Sequence, residues 1–207
     1  MEQIYIILIL AGIIFAIYFI CVIYTNITLK KENEELKQEI EYKNKINKNL
    51  ENQIEKETWN YNIQLSTLKD YTQQYKPNKP IKVLVGDYIE SSILNTNRVL
   101  RELGVETYLV PNGNDIIETV KTNVFDAIIT NNIYKDHIDG PTILNKLREN
   151  KNFDTPTIIL TVSDNEENYF INQCGFDDYL VKLLDDKKAM NSLKKVIPGL
   201  KFSKLKK

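Results

Sequence analysis

Residues Asp126-Ala127-Ile128-Ile129-Thr130 run into Asn131-Asn132, and Asp139-Gly140 follows eight residues after Asn131. A short apolar run that stops at polar residues and a turn reads as a strand. Four further runs of this kind flank it, at residues 81–85, 106–110, 157–161 and 179–181. The stretches between and after them have amphipathic helical spacing, at residues 91–103, 114–121, 141–148, 166–173 and 187–196. Five strands alternating with five helices predict an α/β fold with a doubly wound parallel sheet. Such sheets bind ligands beyond the carboxyl ends of their strands. The residues to examine are therefore Gly86-Asp87, Asn131-Asn132, Thr161 and Lys182.

Upstream of this domain the composition changes twice. The run from Ile4 to Tyr24 has 21 residues without a charge, a length that rises roughly 31 Å as a helix and matches the hydrocarbon core of a bilayer. No basic segment precedes it and no small-residue cleavage site follows, so it reads as a retained anchor and not a cleaved signal. Tyr5 and Tyr24 suit the two interfaces. Lys30 and Lys31 follow the run closely, which predicts a single-pass protein with its C-terminal side in the cytoplasm.

From Thr25 to about Tyr75 the chain has no Gly or Pro and is dense in Lys, Glu, Asn and Gln. A heptad frame through Leu29, Leu36, Ile40, Leu50, Ile54, Tyr61, Leu68, Tyr71 and Tyr75 predicts a coiled coil. Asn33 and Asn47 at a positions favour two parallel strands, hence a parallel homodimer. Lys76-Pro77-Asn78-Lys79-Pro80 stops any helix. The expected organisation is a transmembrane anchor (1–25), a coiled-coil stalk (26–76), a Pro-containing linker (77–80), the α/β domain (81–198) and a solvated basic tail (199–207). A net charge of −1 with no concentrated basic face excludes a nucleic-acid partner. Cys21 and Cys174 imply no disulfide framework.

The α/β segment resembles the receiver domain of two-component response regulators, of the chemotaxis-regulator kind. The resemblance rests on Lys82-Val83-Leu84-Val85-Gly86-Asp87, Phe125-Asp126, Asp139-Gly140, Thr161 and Gly175-Phe176-Asp177-Asp178-Tyr179-Leu180-Val181-Lys182. It implies a flavodoxin-like five-stranded sheet of order 2-1-3-4-5. In that family two acids after the first strand and an aspartate after the third hold magnesium, and the aspartate accepts a phosphoryl group. Carried over by position, Asp87 matches the second acid, Thr161 the hydroxyl that contacts the phosphoryl group, Lys182 the neutralising cation and Tyr179 the switch aromatic.

Four departures set this chain apart. Gly86 stands for the first acid, Asn131 for the acceptor and Leu183 for the proline after the lysine, while the loop from Asn131 to Gly140 is one residue longer. An amide is neutral and barely nucleophilic, so Asn131 is a degenerate phosphoacceptor position. Magnesium prefers carboxylate oxygens, and Asp87 alone remains as a weak site for it, so no cofactor or metal is expected. Asp87 and Lys182 then either keep a residual anion or metal site or pair with each other. Thr161 and Tyr179 either preserve the family's switch or pack as ordinary strand-end residues. His137 has no Cys or His partner, and Asp87-Tyr88-Ile89-Glu90 repels phosphate where a flavin or nucleotide loop would bind it.

The expected function is that of a pseudo-receiver: a non-enzymatic, phosphorylation-independent interaction module. Its working face would be the fourth helix, fifth strand and fifth helix, and its partner a signalling protein such as a histidine kinase. The alternatives are a functional phosphorelay receiver and a structural, membrane-tethered dimeric scaffold.

Overall fold

The computed structural model describes residues 2–68 and 71–205, with side chains described from 8–65 and 71–205. The side chains of Tyr5 and Leu68 and the last two lysines, Lys206 and Lys207, lie outside the described residues. The chain divides into two compact units, 1–58 and 59–207.

Unit 1 is helix α1, which spans Glu2–Leu68 and so continues into unit 2. Among the described residues one helix is long and apolar enough to cross a membrane, by length and composition, and its best stretch has a mean hydropathy of 2.6. Beyond the apolar run the helix is supported by exposed pairs one turn apart, such as Lys43 with Glu39 at 2.6 Å, each worth a few tenths of a kcal/mol. Leu29, Leu36, Ile40, Leu50 and Ile54 are all exposed along it.

Unit 2 is a five-stranded parallel sheet with helices on both faces. In chain order its elements are β1 (Tyr75–Pro77), β2 (Lys82–Gly86), α2 (Glu90–Glu102), β3 (Glu106–Val110), α3 (Gly113–Thr122), β4 (Ala127–Asn131), α4 (Gly140–Arg148), β5 (Thr157–Thr161), a π-helical turn (Tyr169–Cys174), β6 (Asp178–Val181), α5 (Asp186–Val196) and β7 (Phe202–Lys204). The main sheet has the order β3-β2-β4-β5-β6, which is the 2-1-3-4-5 arrangement implied by the family resemblance once the short β1 is set aside.

Alternation along the strands sorts the core into faces. Val83, Val85, Ala127, Ile129, Ile158 and Leu160 point to the side covered by α2 and α5. Leu84 and Ile128 point to the side of α3 and α4, where Ile159 packs with Phe170 and Phe176. The same alternation carries Gly86 to the α3 side and Asp87 to the α2 and α5 side, so two adjacent residues serve opposite faces.

Three expectations are corrected. The helix near 166–173 is wound as a π-helix over Tyr169–Cys174 and closes on Gly175 at φ 85°; the wider turn lets Phe170 reach full burial against Phe176 and Tyr179. Residues 199–207 are not merely a solvated tail, since β7 pairs antiparallel with β1, Tyr75 opposite Lys204 and Pro77 opposite Phe202. Asn78 reinforces this clip, donating to the carbonyl of Gly199 at 3.0 Å and accepting from the Lys201 amide at 2.9 Å. The stalk does not run to residue 76: α1 ends at Leu68, and its last turns belong to the domain. There Trp59 and Ile63 pack on the core together with Tyr75 and Phe202, and Asn62 donates to Glu90 at 2.8 Å. Polar composition reads these segments as stalk and tail, whereas burial of their isolated aromatics decides their structure.

Candidate functional site at the strand ends

The carboxyl ends of β2, β4, β5 and β6 bring most of the sequence-predicted residues to one edge of the sheet. Asp87 is fully buried and Lys182 nearly so, and their charged atoms meet at 2.6 Å. The same carboxylate oxygen accepts from Ser92 Oγ at 2.6 Å, and the other accepts from the Ile89 amide at 3.0 Å. A buried carboxylate held by an ammonium, a hydroxyl and a backbone N–H is satisfied within the protein. Of the two alternatives for this pair, the geometry is the ion pair.

Asn131 is buried at the end of β4, and its amide nitrogen donates to the Ile133 carbonyl at 2.6 Å. The side chain thus closes a local turn in its own loop. Thr161 is buried at the end of β5, where its hydroxyl accepts from the Ser163 amide at 3.4 Å. Tyr179 donates its hydroxyl to the Ser163 carbonyl and stacks on Phe170. Thr161 and Tyr179 are therefore joined through Ser163 and not to each other. His137 is exposed, with φ 61° in the loop.

One residue that the sequence reading did not single out fills the middle of this edge. Tyr134, in the loop after β4, is buried with its hydroxyl at a hub. It donates to the Gly86 carbonyl at 2.7 Å, accepts from the Asn131 backbone N–H at 3.1 Å and sits 2.9 Å from Thr130 Oγ1. Burial pushes its phenol well above the ordinary value, so it is a neutral group. A Cβ on Gly86 would stand 2.6 Å from that hydroxyl oxygen and 2.3 Å from Ile116 Cδ1, closer than real carbon atoms approach. Residue 86 is glycine because Tyr134 and Ile116 fill the volume where a side chain would be. The lengthened loop is folded back by an Ile133–Asp139 bridge and by Asp136, which accepts from the Asn114 backbone and side chain at 3.1 and 3.0 Å.

Among the described residues no group of three or more His, Cys, Asp or Glu is arranged to hold a metal. On the neighbouring face, an open groove of about 340 Å³ runs between β6 and α5, lined by Tyr179, Val181, Asn191, Ser192 and Lys195 among others.

Known proteins agree with this architecture. The chain is similar in structure to the chemotaxis response regulator CheY4 of Vibrio cholerae, at 22% identity and a TM-score of 0.52 over 57% of this chain and 99% of that one. It is also similar to a Francisella response regulator receiver domain, at 27% identity and a TM-score of 0.51 over 56% of this chain and 96% of that one. The receiver domain of a sensor histidine kinase from Pseudomonas aeruginosa, solved with magnesium in its cleft, matches at 22% identity with a TM-score of 0.52 over 57% and 98% of the two chains. Comparison with curated proteins finds no match. The response regulator receiver domain model matches residues 83–194, more than half of the chain, and the protein therefore belongs to the response regulator receiver family.

Proposed function

We propose that this protein is a membrane-anchored pseudo-receiver, a signalling module that works by protein contact without phosphorylation. The observation that carries this reading is Tyr134, whose neutral hydroxyl lies against the place of the missing first acid and is bonded to the backbone on both sides of it. Phosphoryl transfer to an aspartate needs an anionic oxygen at the end of β4, and Asn131 offers an amide already engaged with Ile133.

The donor set also fits magnesium poorly. The ion requires near-octahedral oxygen ligation with carboxylates and water, yet Gly86 contributes no side chain and Asp87 is held by the Lys182 ammonium.

The membrane anchor is supported by the length and apolarity of α1 and its cytoplasmic orientation by Lys30 and Lys31. Parallel dimerisation is supported by the division of labour along the end of α1. Trp59 and Ile63 turn toward the domain, while Tyr61, on the other side, stays exposed and continues the apolar seam.

Treating the full chain in micelles with magnesium and a small phosphodonor, and reading intact mass, tests the core of the proposal. No phosphoryl gain is expected. A stoichiometric, hydroxylamine-labile gain would establish the phosphorelay alternative instead.

A further inference from the structure

Four aliphatic side chains stand exposed on the loops that surround the sealed site. Ile89, Ile133, Val162 and Leu183 are 37%, 63%, 77% and 75% exposed, and they follow β2, β4, β5 and β6 respectively. Asn131 lies beside Leu160 and Thr161 beside Val181 in the sheet register, and the Lys182 amide donates to the Thr161 carbonyl at 2.8 Å. Ile133, Val162 and Leu183 therefore leave three neighbouring strand ends. With strands about 4.8 Å apart they span roughly 10 Å, close to the width of one helix. One exposed aliphatic residue is ordinary, but four on adjoining loops at one end of a sheet make a patch.

The charge around the patch is one-sided. Residues 87–90, 131–139, 161–167 and 182–188 hold nine acids and four lysines, in a chain whose net charge is −1. One acid and one lysine of that set, Asp87 and Lys182, neutralise each other inside. Asp139, Asp164, Glu166 and Glu167 are exposed at the rim, and Asp185 there pairs with Lys188 at 3.9 Å. Such a rim repels an anionic membrane or nucleic acid and attracts a cation-bearing partner.

From the patch and its rim we infer that the strand-end face is a docking site for a basic amphipathic helix of another protein. The aliphatic stripe of that helix lies on Ile133, Val162 and Leu183, and its Lys and Arg residues meet the acidic rim. A second copy's stalk is a poor occupant, because residues 29–57 carry seven lysines against eight glutamates and offer no complementary charge. The inference rests on the reading of the domain as a contact module, and it names the partner chemistry for the face that lost its phosphoryl chemistry.

The test uses the full chain in zwitterionic nanodiscs, with empty nanodiscs subtracted. The probe is a fluorescent Leu/Lys peptide patterned to be amphipathic as a helix, set against an isomer of the same composition scrambled to have no apolar stripe. Saturable binding of the patterned peptide alone is expected. It should weaken about tenfold in Val162→Ser/Leu183→Ser and by a similar factor in Glu166→Gln/Glu167→Gln, the second pair also flattening the salt dependence. All four positions are exposed, and circular dichroism verifies that the variants stay folded. Equal binding of the scrambled peptide, unchanged binding by Val162→Ser/Leu183→Ser, or no binding overturns the inference. So does a fall in oligomer size caused by Val162→Ser/Leu183→Ser, which would make a second copy the occupant. The phosphodonor assay on the same samples separates the two readings: a phosphoryl gain with peptide binding intact defeats the pseudo-receiver and leaves the docking face standing.

Discussion

The hydroxyl of Tyr134 donates to the carbonyl of Gly86 at 2.7 Å, and a Cβ added to residue 86 would stand 2.6 Å from that same oxygen. The two positions compete for one volume: an acid at 86 displaces the ring at 134 and the Ile116 side chain, whose Cδ1 lies 2.3 Å from that Cβ. Gly86→Asp is expected to destabilise the domain by about 3 kcal/mol or more, because it overpacks the core and buries a charge without a partner. Pairing it with Tyr134→Ala should recover part of that loss. Denaturant unfolding of the single and double variants checks the coupling, and strictly additive effects would contradict it.

Asn131→Asp alone should leave the protein unphosphorylated. It supplies a carboxylate at the end of β4 while Gly86 still withholds the first acid and Tyr134 still occupies the site. Labelling by a small phosphodonor in magnesium, compared with Asn131→Asp/Gly86→Asp/Tyr134→Ala, is the measurement. An ordinary receiver rate in the single variant would mean that residues 86 and 134 matter less than their geometry implies.

Lys182→Met should cost about 3 to 5 kcal/mol, since it strands the buried Asp87 carboxylate without its cation. Replacing the pair together, as Asp87→Leu/Lys182→Met, is expected to cost much less, because no lone charge is then buried. A double-mutant cycle from urea unfolding reads the difference.

Tyr134 also predicts an alkaline limit to stability. Its phenol is held protonated by burial, above the ordinary value of 10.0 that it regains on unfolding. Above pH 10 the folded state binds a proton that the unfolded state releases. The stabilisation is complete below that pH and is lost as pH rises, by about 1.4 kcal/mol per unit. Tyr134→Phe should be less stable by about 1 to 3 kcal/mol at neutral pH, where it leaves the Gly86 carbonyl without its donor. It should also lack this alkaline slope, so the two unfolding curves converge above pH 10.

At the end of α1 the indole nitrogen of Trp59 is buried without a hydrogen-bond partner, while the ring packs on the core. Trp59→Phe keeps most of the apolar contact and removes the unsatisfied donor, so it should be neutral or slightly stabilising. Ile63→Ala should loosen the helix end and shift the emission of Trp59, the sole tryptophan, to the red. A mobile helix end in the parent chain would show as no shift.

The five strands of the main sheet and the site positions were legible because buried parallel strands are short apolar runs and their ends carry the polar residues, whereas their order followed from the family resemblance. Asp87, Asn131, Thr161 and Lys182 all stand at the strand-end edge that periodicity alone indicates. Tyr134 was not legible, since a tyrosine in a loop of Lys, Asp and His carries no periodic mark, and only the glycine opposite it hints at the occupied volume. Nor was the β1–β7 clip, whose strands are three residues each and whose pairing joins residues at opposite ends of the domain. The docking of Trp59 and Ile63 was hidden for a related reason: they lie off the heptad seam, on the side that a coiled-coil reading treats as solvent.

The clip has a consequence for the order in which the protein is made. Lys76 and Ser203, bonded across it, are 127 residues apart, so β1 is synthesised long before its partner exists. The parallel sheet between them also depends on distant contacts, which form slowly. Until residues 202–204 emerge, Tyr75 and the last turns of α1 lack the strand that helps to hold them. The β1–β7 pair is thus the last part of the domain able to form, and completion of β7 is the event that fastens Tyr75–Pro77 in place.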